Sequence, residues 1–183
     1  LAMTEEMFAE KDYHKVTPAE IARATQVSEA TLYELFANKE DILMSGLQHR
    51  LKGHVRVAEN FFDIRTPLSR LVRFIYYHFT MHIRQPAFVK NFILNGIYNE
   101  KFYQSPAYQD FEKYMAILDQ ILKDGKEDGS MRPDLDIRRF RYLLMGVFSH
   151  TVLRWFFAEK TKNLEMMGRI NEITALLMKM VLK

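Results

Sequence analysis

The stretch from Thr17 to Asp41, TPAEIARATQVSEATLYELFANKED, constrains this chain more than any other. Thr17 is a good N-cap, Pro18 fits the first helical position where a missing N–H costs nothing, and Glu20 stands where it closes a capping box. The helix started there is expected to end near Thr25. Gln26 and Val27 make a turn and Ser28 caps a second short helix. Leu32, Leu35 and Phe36 then fall at i, i+3 and i+4, the spacing of one buried face. The opposite face is left to Glu29, Ala30, Thr31, Tyr33 and Glu34. Asn38 caps a third helix, with Lys39 in its first turn and Asp41 at the box position.

Two short helices joined by a tight turn have the proportions of a helix-turn-helix, whose second helix enters the DNA major groove. Phe8, the Lys11-Asp12-Tyr13 corner, Val16-Thr17, Ile21-Ala22, Val27-Ser28, Thr31-Leu32-Tyr33, Phe36 and Lys39-Glu40 fall in one register. That register resembles the DNA-binding domain of TetR/AcrR-type bacterial transcriptional regulators. Asp12 and Gln26 stand where the family pattern favours glycine. The resemblance implies an all-α fold of about nine helices. A three-helix helix-turn-helix domain would occupy residues 1–45, N-terminally incomplete because the chain opens on Leu1 in mid-helix. A larger effector-binding and dimerisation domain would fill 46–183. It also implies DNA contacts: Thr17, Ser28 and Lys39 on phosphates, and Glu29, Ala30, Thr31 and Tyr33 facing the groove.

Charge sits awkwardly with DNA. The chain as a whole carries +3. Residues 1–45, however, hold only Lys11, Lys15, Arg23 and Lys39 against Glu5, Glu6, Glu10, Asp12, Glu20, Glu29, Glu34, Glu40 and Asp41, a net of −5. Phosphate neutralisation supplies much of DNA affinity, so such a reader must concentrate its few cations or borrow others. Arg50, Lys52 and Arg56 follow in the next helix, and in the family a basic arm precedes the first one. The sequence-level alternative is a helical protein-interaction module without DNA binding.

Past residue 45 the chain is helical in period throughout. Leu43, Leu47, Leu51 and Val55 extend the third helix of the reader to about Phe62. Pro67, Pro86 and Pro106 mark helix starts, and Pro133 lies in a loop. Leu68, Leu71, Val72, Ile75, Phe79 and Ile83 form the apolar face after Pro67. Phe88, Phe92, Ile93 and Ile97 follow Pro86, and Phe111, Met115, Leu118, Ile121 and Leu122 follow Pro106. Asp128-Gly129 ends that helix. The last two helices are expected from about Ile137 to Ala158 and from about Leu164 to Leu182.

No run of ~18 apolar residues exists, so no membrane partner is expected. The absence of cysteine excludes disulfides and thiolate metal sites, and the simplest location is the cytoplasm. No P-loop, GxGxxG, GxSxG or paired-carboxylate pattern occurs, so neither an enzyme nor a cofactor is expected. A helical enzyme acting on small molecules is the remaining alternative, resting on tyrosine and histidine count alone. His78 and His82 at i, i+4 could share a metal ion, but two further ligands are not supplied by spacing, and no metal site is expected.

Of the 24 aromatic residues, all but Phe8, Tyr13, Tyr33 and Phe36 follow residue 60, together with most of the methionines. Such side chains fill cores and line adaptable apolar cavities. Polar residues on the same helices favour a cavity. The expected effector-binding set is His78, Phe79, His82, Asn91, Asn95, Tyr98, Phe111, Met115 and Phe148. The run Tyr114 to Leu122, the Gly129–Asp136 joint and Trp155 most resemble the family members that answer to fatty acyl-CoA, so a hydrophobic effector of that kind is implied. Arg73, Arg84 and Lys90 would meet its phosphates. A planar or drug-like apolar compound is the competing ligand. The penultimate helix carries two apolar stripes, more than one core can bury. In the family the last two helices pair with their copies, which implies a homodimer through Phe148, Val152, Trp155, Phe156, Ile170 and Leu177. The whole reading is a ligand-responsive operator-DNA-binding regulator, a repressor released by a hydrophobic small molecule.

Overall fold

The computed structural model describes residues 1–11, 13–157 and 163–183. Nine α-helices and no strand occur among them: α1 Ala2–Glu10, α2 Pro18–Thr25, α3 Glu29–Leu35, α4 Lys39–Glu59, α5 Pro67–Arg84, α6 Pro86–Asn91, α7 Pro106–Glu127, α8 Ile137–Phe157 and α9 Asn163–Val181. The local signals explain the starts. Thr17 and Glu20 form the reciprocal capping box, Ser28 caps α3, Asn38 Oδ1 accepts from the Asp41 N–H, and proline opens α2, α5, α6 and α7. No described helix is long and apolar enough to cross a membrane.

Four details differ from the periodic reading. The α-helix of α4 stops at Glu59 and tightens into a 3-10 turn over Asn60–Asp63. After α6 the backbone widens into a π-helical turn, Phe92–Ile97, which side-chain period does not encode. Leu35, expected on a buried face, is 68% exposed. It is the last residue of a seven-residue helix, and Phe36 already has extended backbone, so Leu35 swings away from the face that Leu32 occupies. Val72 is exposed as well, while Phe74 and Tyr77 are buried on α5.

Packing divides the chain into two units, Leu1–Gly53 with Gln85–Phe111, and His54–Arg84 with Glu112–Lys183. In the first, α1 packs on α6 and α2, and α2 on α3. Phe8, Ile21, Leu32, Leu43 and Leu47 fill its core. The buried Glu5 carboxylate accepts twice from the Arg50 guanidinium, 2.9 Å each. In the second unit α5 packs on α9 over Leu71, Phe74, Phe79, Leu144, Ile170 and Val181.

Gly129 ends α7 with φ 75, the left-handed value that favours glycine. Gly125 serves by close approach: a Cβ there would lie 2.5–2.7 Å from three side-chain atoms of fully buried Met131. Replacing a helical glycine by alanine ordinarily gains up to ~1 kcal/mol. Here the gain is expected to reverse, with Gly125→Ala losing about 1–3 kcal/mol through overpacking. Thermal unfolding of this variant beside Gly146→Ala, where the added Cβ meets nothing within 4 Å, checks the sign.

Candidate functional site

The first unit presents α3 to solvent. Gln26, left-handed at φ 58, makes the corner after α2 where a glycine is commoner, at modest cost; Asp12, the other such position, lies outside the described residues. Thr17 Oγ1 accepts from the Glu20 N–H at 3.2 Å and the Glu20 carboxylate from the Thr17 N–H at 2.9 Å. Glu20 also takes the Lys11 ammonium at 2.8 Å. Lys11 and the Thr17 N–H hold the Glu20 carboxyl down to about 2. Ser28 Oγ accepts from the Thr31 N–H at 3.0 Å. Glu29, Ala30, Tyr33 and Glu34 are exposed and Thr31 is half-buried.

Lys39 is placed differently from its expected position on a phosphate. Its ammonium donates to the carbonyls of Tyr13 at 2.7 Å, His14 at 3.4 Å and Val16 at 3.0 Å and sits 4.4 Å over the Tyr13 ring. All three acceptors lie in the 3-10 turn Tyr13–Lys15 or on Val16 just after it. Burial, with Glu40 and Asp41 nearby, pushes the Tyr13 hydroxyl up to about 12. Lys15 and Arg23 are exposed in this region, as is Lys11 beside Glu20, and charge counting could not separate them from Lys39.

The nine residues expected around an effector fall into two groups. Asn91, Asn95, Tyr98 and Phe111 belong to the first unit. Asn91 is buried and donates to the Glu5 carbonyl at 2.8 Å, and Asn95 donates to Asn91 at 3.1 Å. These amides, with Lys90 donating to the Ala9 carbonyl, fasten α6 to α1. Tyr98 is 70% exposed, and Phe111 packs against Phe92 at 5.4 Å. Asn99 and Lys101 also hold Glu40 in the first turn of α4.

His78, Phe79, His82, Met115 and Phe148 are all buried in the second unit, where the first two meet Phe148. The His78 ring lies 4.2 Å from that of Phe148, and Phe79 meets Phe148 edge-on at 5.4 Å. His78 Nδ1 is 3.2 Å from the Tyr114 hydroxyl, while its Nε2 is buried with no hydrogen-bond partner. Burial and the neighbouring His54 bring the His78 imidazole down to about 3. His54 in turn meets the Tyr77 hydroxyl at 2.7 Å. His82 turns elsewhere: Nδ1 to the Phe79 carbonyl, Nε2 to Met166 Sδ at 3.4 Å, and its ring onto Trp155 at 4.3 Å. Burial takes it down to about 4, against the opposing effect of the Phe79 carbonyl. His54, which sequence reasoning missed, joins this cluster beside Tyr77 and Tyr114, 23 and 60 residues along the chain.

Residues 1–45 match the family model of bacterial regulatory proteins, tetR family, and residues 47–180 match that of the YsiA-like protein C-terminal region. The chain belongs to the TetR family. As such it is a DNA-binding transcriptional regulator. It is similar to the fatty acid metabolism regulator protein of Bacillus subtilis (strain 168), 29% identical over 153 residues, 82% of this chain and 78% of the relative. The HTH-type transcriptional repressor KstR2 of Rhodococcus jostii (strain RHA1) is 29% identical over 157 residues, 82% of this chain and 74% of the relative. Among solved structures, the transcriptional regulator FadR from Bacillus subtilis in complex with stearoyl-CoA superposes with TM-score 0.85 at 26% identity, covering 96% of this chain and 94% of that one.

In this TetR-family chain the expected dimer residues sit inward. Phe148, Val152, Trp155, Ile170 and Leu177 are buried in the second unit's own core, and Phe156 is half-buried. Outward apolar positions on the same helices include Leu143, at 47% exposure, and Phe157, at 64%, on α8, and Leu176, at 61%, and Met180, at 38%, on α9. Both stripes of α8 are apolar, and period alone cannot tell which one the core takes. Thr151, Trp155, Ile173 and Leu176 with Arg154, Arg169 and Glu172 line a recess of about 260 Å³ between α8 and α9.

Proposed function

We propose that this chain is a repressor that binds its operator as a homodimer and is released by a long-chain fatty acyl-CoA held within its second unit. Residues 1–45 act as the reader and 46–183 bind effector and partner copy, and work on DNA puts the protein in the cytoplasm. The carrying observation is His78 Nε2: a buried polar atom without a partner, amid the rings of Phe74, Phe79 and Phe148, costs free energy that a ligand's polar group would recover. The relationship to FadR, whose structure holds stearoyl-CoA, supports an acyl-CoA in that position. Arg73 and Arg84 are exposed on α5, stacked on Phe61 at 5.7 Å and on Tyr77 at 5.7 Å, and suit the CoA phosphates. Release follows by population shift: a ligand that binds one conformer and an operator that binds the other oppose each other through their coupling free energy.

Chain length is the test. Burying each methylene is worth ~0.8 kcal/mol, so two methylenes should tighten binding by about tenfold until the interior is filled. Thermal stabilisation is expected to rise from C8 to C16 acyl-CoA, with the long members displacing the protein from operator DNA. A flat response across the series, with release by planar aromatic compounds instead, would replace the acyl-CoA reading by that of a pocket for drug-like ligands.

A further inference from the structure

We infer that α3 reads thymine methyl groups rather than guanine edges, with Ala30 and Tyr33 making the contact and Glu29 and Glu34 governing what lies beside it. This rests on the operator-binding reading above. From Thr25 to Asn38 the chain contains no lysine, arginine or histidine. At about 100° per residue, Ala30 and Tyr33 project side by side in the middle of the exposed face, with Glu29 on one flank and Glu34 on the other. All four are exposed, and Leu32, 5% exposed, turns inward. The two hydroxyls at the start of the helix are engaged with one another, Ser28 Oγ lying 2.9 Å from Thr31 Oγ1, and Ser28 caps the Thr31 N–H.

Guanine offers the major groove two acceptors, O6 and N7, and is read by a bidentate cation. This face has none, and its carboxylates repel those acceptors. What the face does offer is a methyl group, an aromatic ring and acceptor oxygens. The matching base features are the thymine C5-methyl and the amino groups of cytosine N4 or adenine N6. A half-site whose centre is thymine and whose neighbours present amino groups is therefore the complementary sequence.

The experiment selects duplexes from a randomised library with the protein, then replaces thymine by uracil one position at a time in the enriched sequence, which deletes the methyl and nothing else. At fixed salt, at least one uracil per half-site is expected to weaken binding about tenfold. In Ala30→Gly the preference for thymine over uracil should shrink to what Tyr33 alone supports, with thermal unfolding confirming that this exposed substitution leaves the head folded. Equal binding of every uracil duplex by the unaltered protein would overturn the inference while leaving operator binding intact. Thymine preference undiminished in Ala30→Gly would overturn its assignment to Ala30. A library from which nothing is enriched removes the operator reading and this inference together.

Discussion

The double variant Leu143→Glu/Leu176→Glu is expected to sediment as a monomer of 21.7 kDa and to lose operator affinity by about a hundredfold or more. Both leucines are exposed in the single chain, at 47% and 61%, so the change leaves the core of the second unit untouched and helix content should be preserved. A two-fold interface brings the same patch of each copy together. Four buried leucines, each worth about 2 kcal/mol, would be exchanged for four carboxylates that repel across the axis. Helix-turn-helix dimers hold two half-sites at once, so a monomer forfeits the effective-concentration gain of the second head. The contrast is Val152→Glu, fully buried, which should unfold the unit rather than dissociate it. A double variant that remains dimeric, or an unaltered protein that is monomeric at micromolar concentration, would remove the α8–α9 interface.

Acidification from pH 7.5 to pH 5 is expected to cost about 2 kcal/mol of stability through His78 alone. The sign follows from which state takes the proton. The unfolded chain binds it near 6.5, whereas the folded imidazole, held down to about 3 by burial and His54, refuses it. Stability is therefore full above about 6.5 and falls by ~1.4 kcal/mol per pH unit as pH drops toward 3. His82, held down to about 4, acts in the same direction. In His78→Phe the difference between the two pH values should shrink by about that 2 kcal/mol, although the Tyr114 hydroxyl loses its partner at both. Denaturant melts at pH 7.5 and 5 decide it: an unchanged difference in the variant would assign the acid sensitivity elsewhere.

The parts of the molecule legible in its sequence are those fixed by neighbours in the chain. The Thr17–Glu20 box spans three residues, and Pro67, Pro86 and Pro106 each declare a helix start at their own positions. The family register of Thr17 to Asp41 likewise led to the helix-turn-helix. What stayed hidden depends on partners far along the chain. Lys39 resembles a phosphate contact until the carbonyls 23–26 residues earlier are seen around it. Asn91 resembles a ligand-binding amide until it meets Glu5, 86 residues away. The i, i+4 spacing puts His78 and His82 on one face of α5, yet the two rings serve different neighbours, Tyr114 and Trp155. On α8 the inner stripe was a coin-toss that only α5 and α9 resolve.

The interleaving of the first unit bears on how the protein is made. Its opening segment, Leu1–Gly53, leaves the ribosome well before Gln85–Phe111, and that later segment supplies the buried Asn91 and the Lys90 bond that hold α1. At 5–20 residues per second, the roughly 58 residues from Gly53 to Phe111 take about 3–12 s to synthesise. Through that interval the apolar face of α1 waits without α6, exposed to holdase chaperones and to proteases. The first unit is thus kept unfinished until the later segment is made. Ribosomes that stop before Gln85 would release a fragment whose α1 lacks its partner α6, a substrate for quality control.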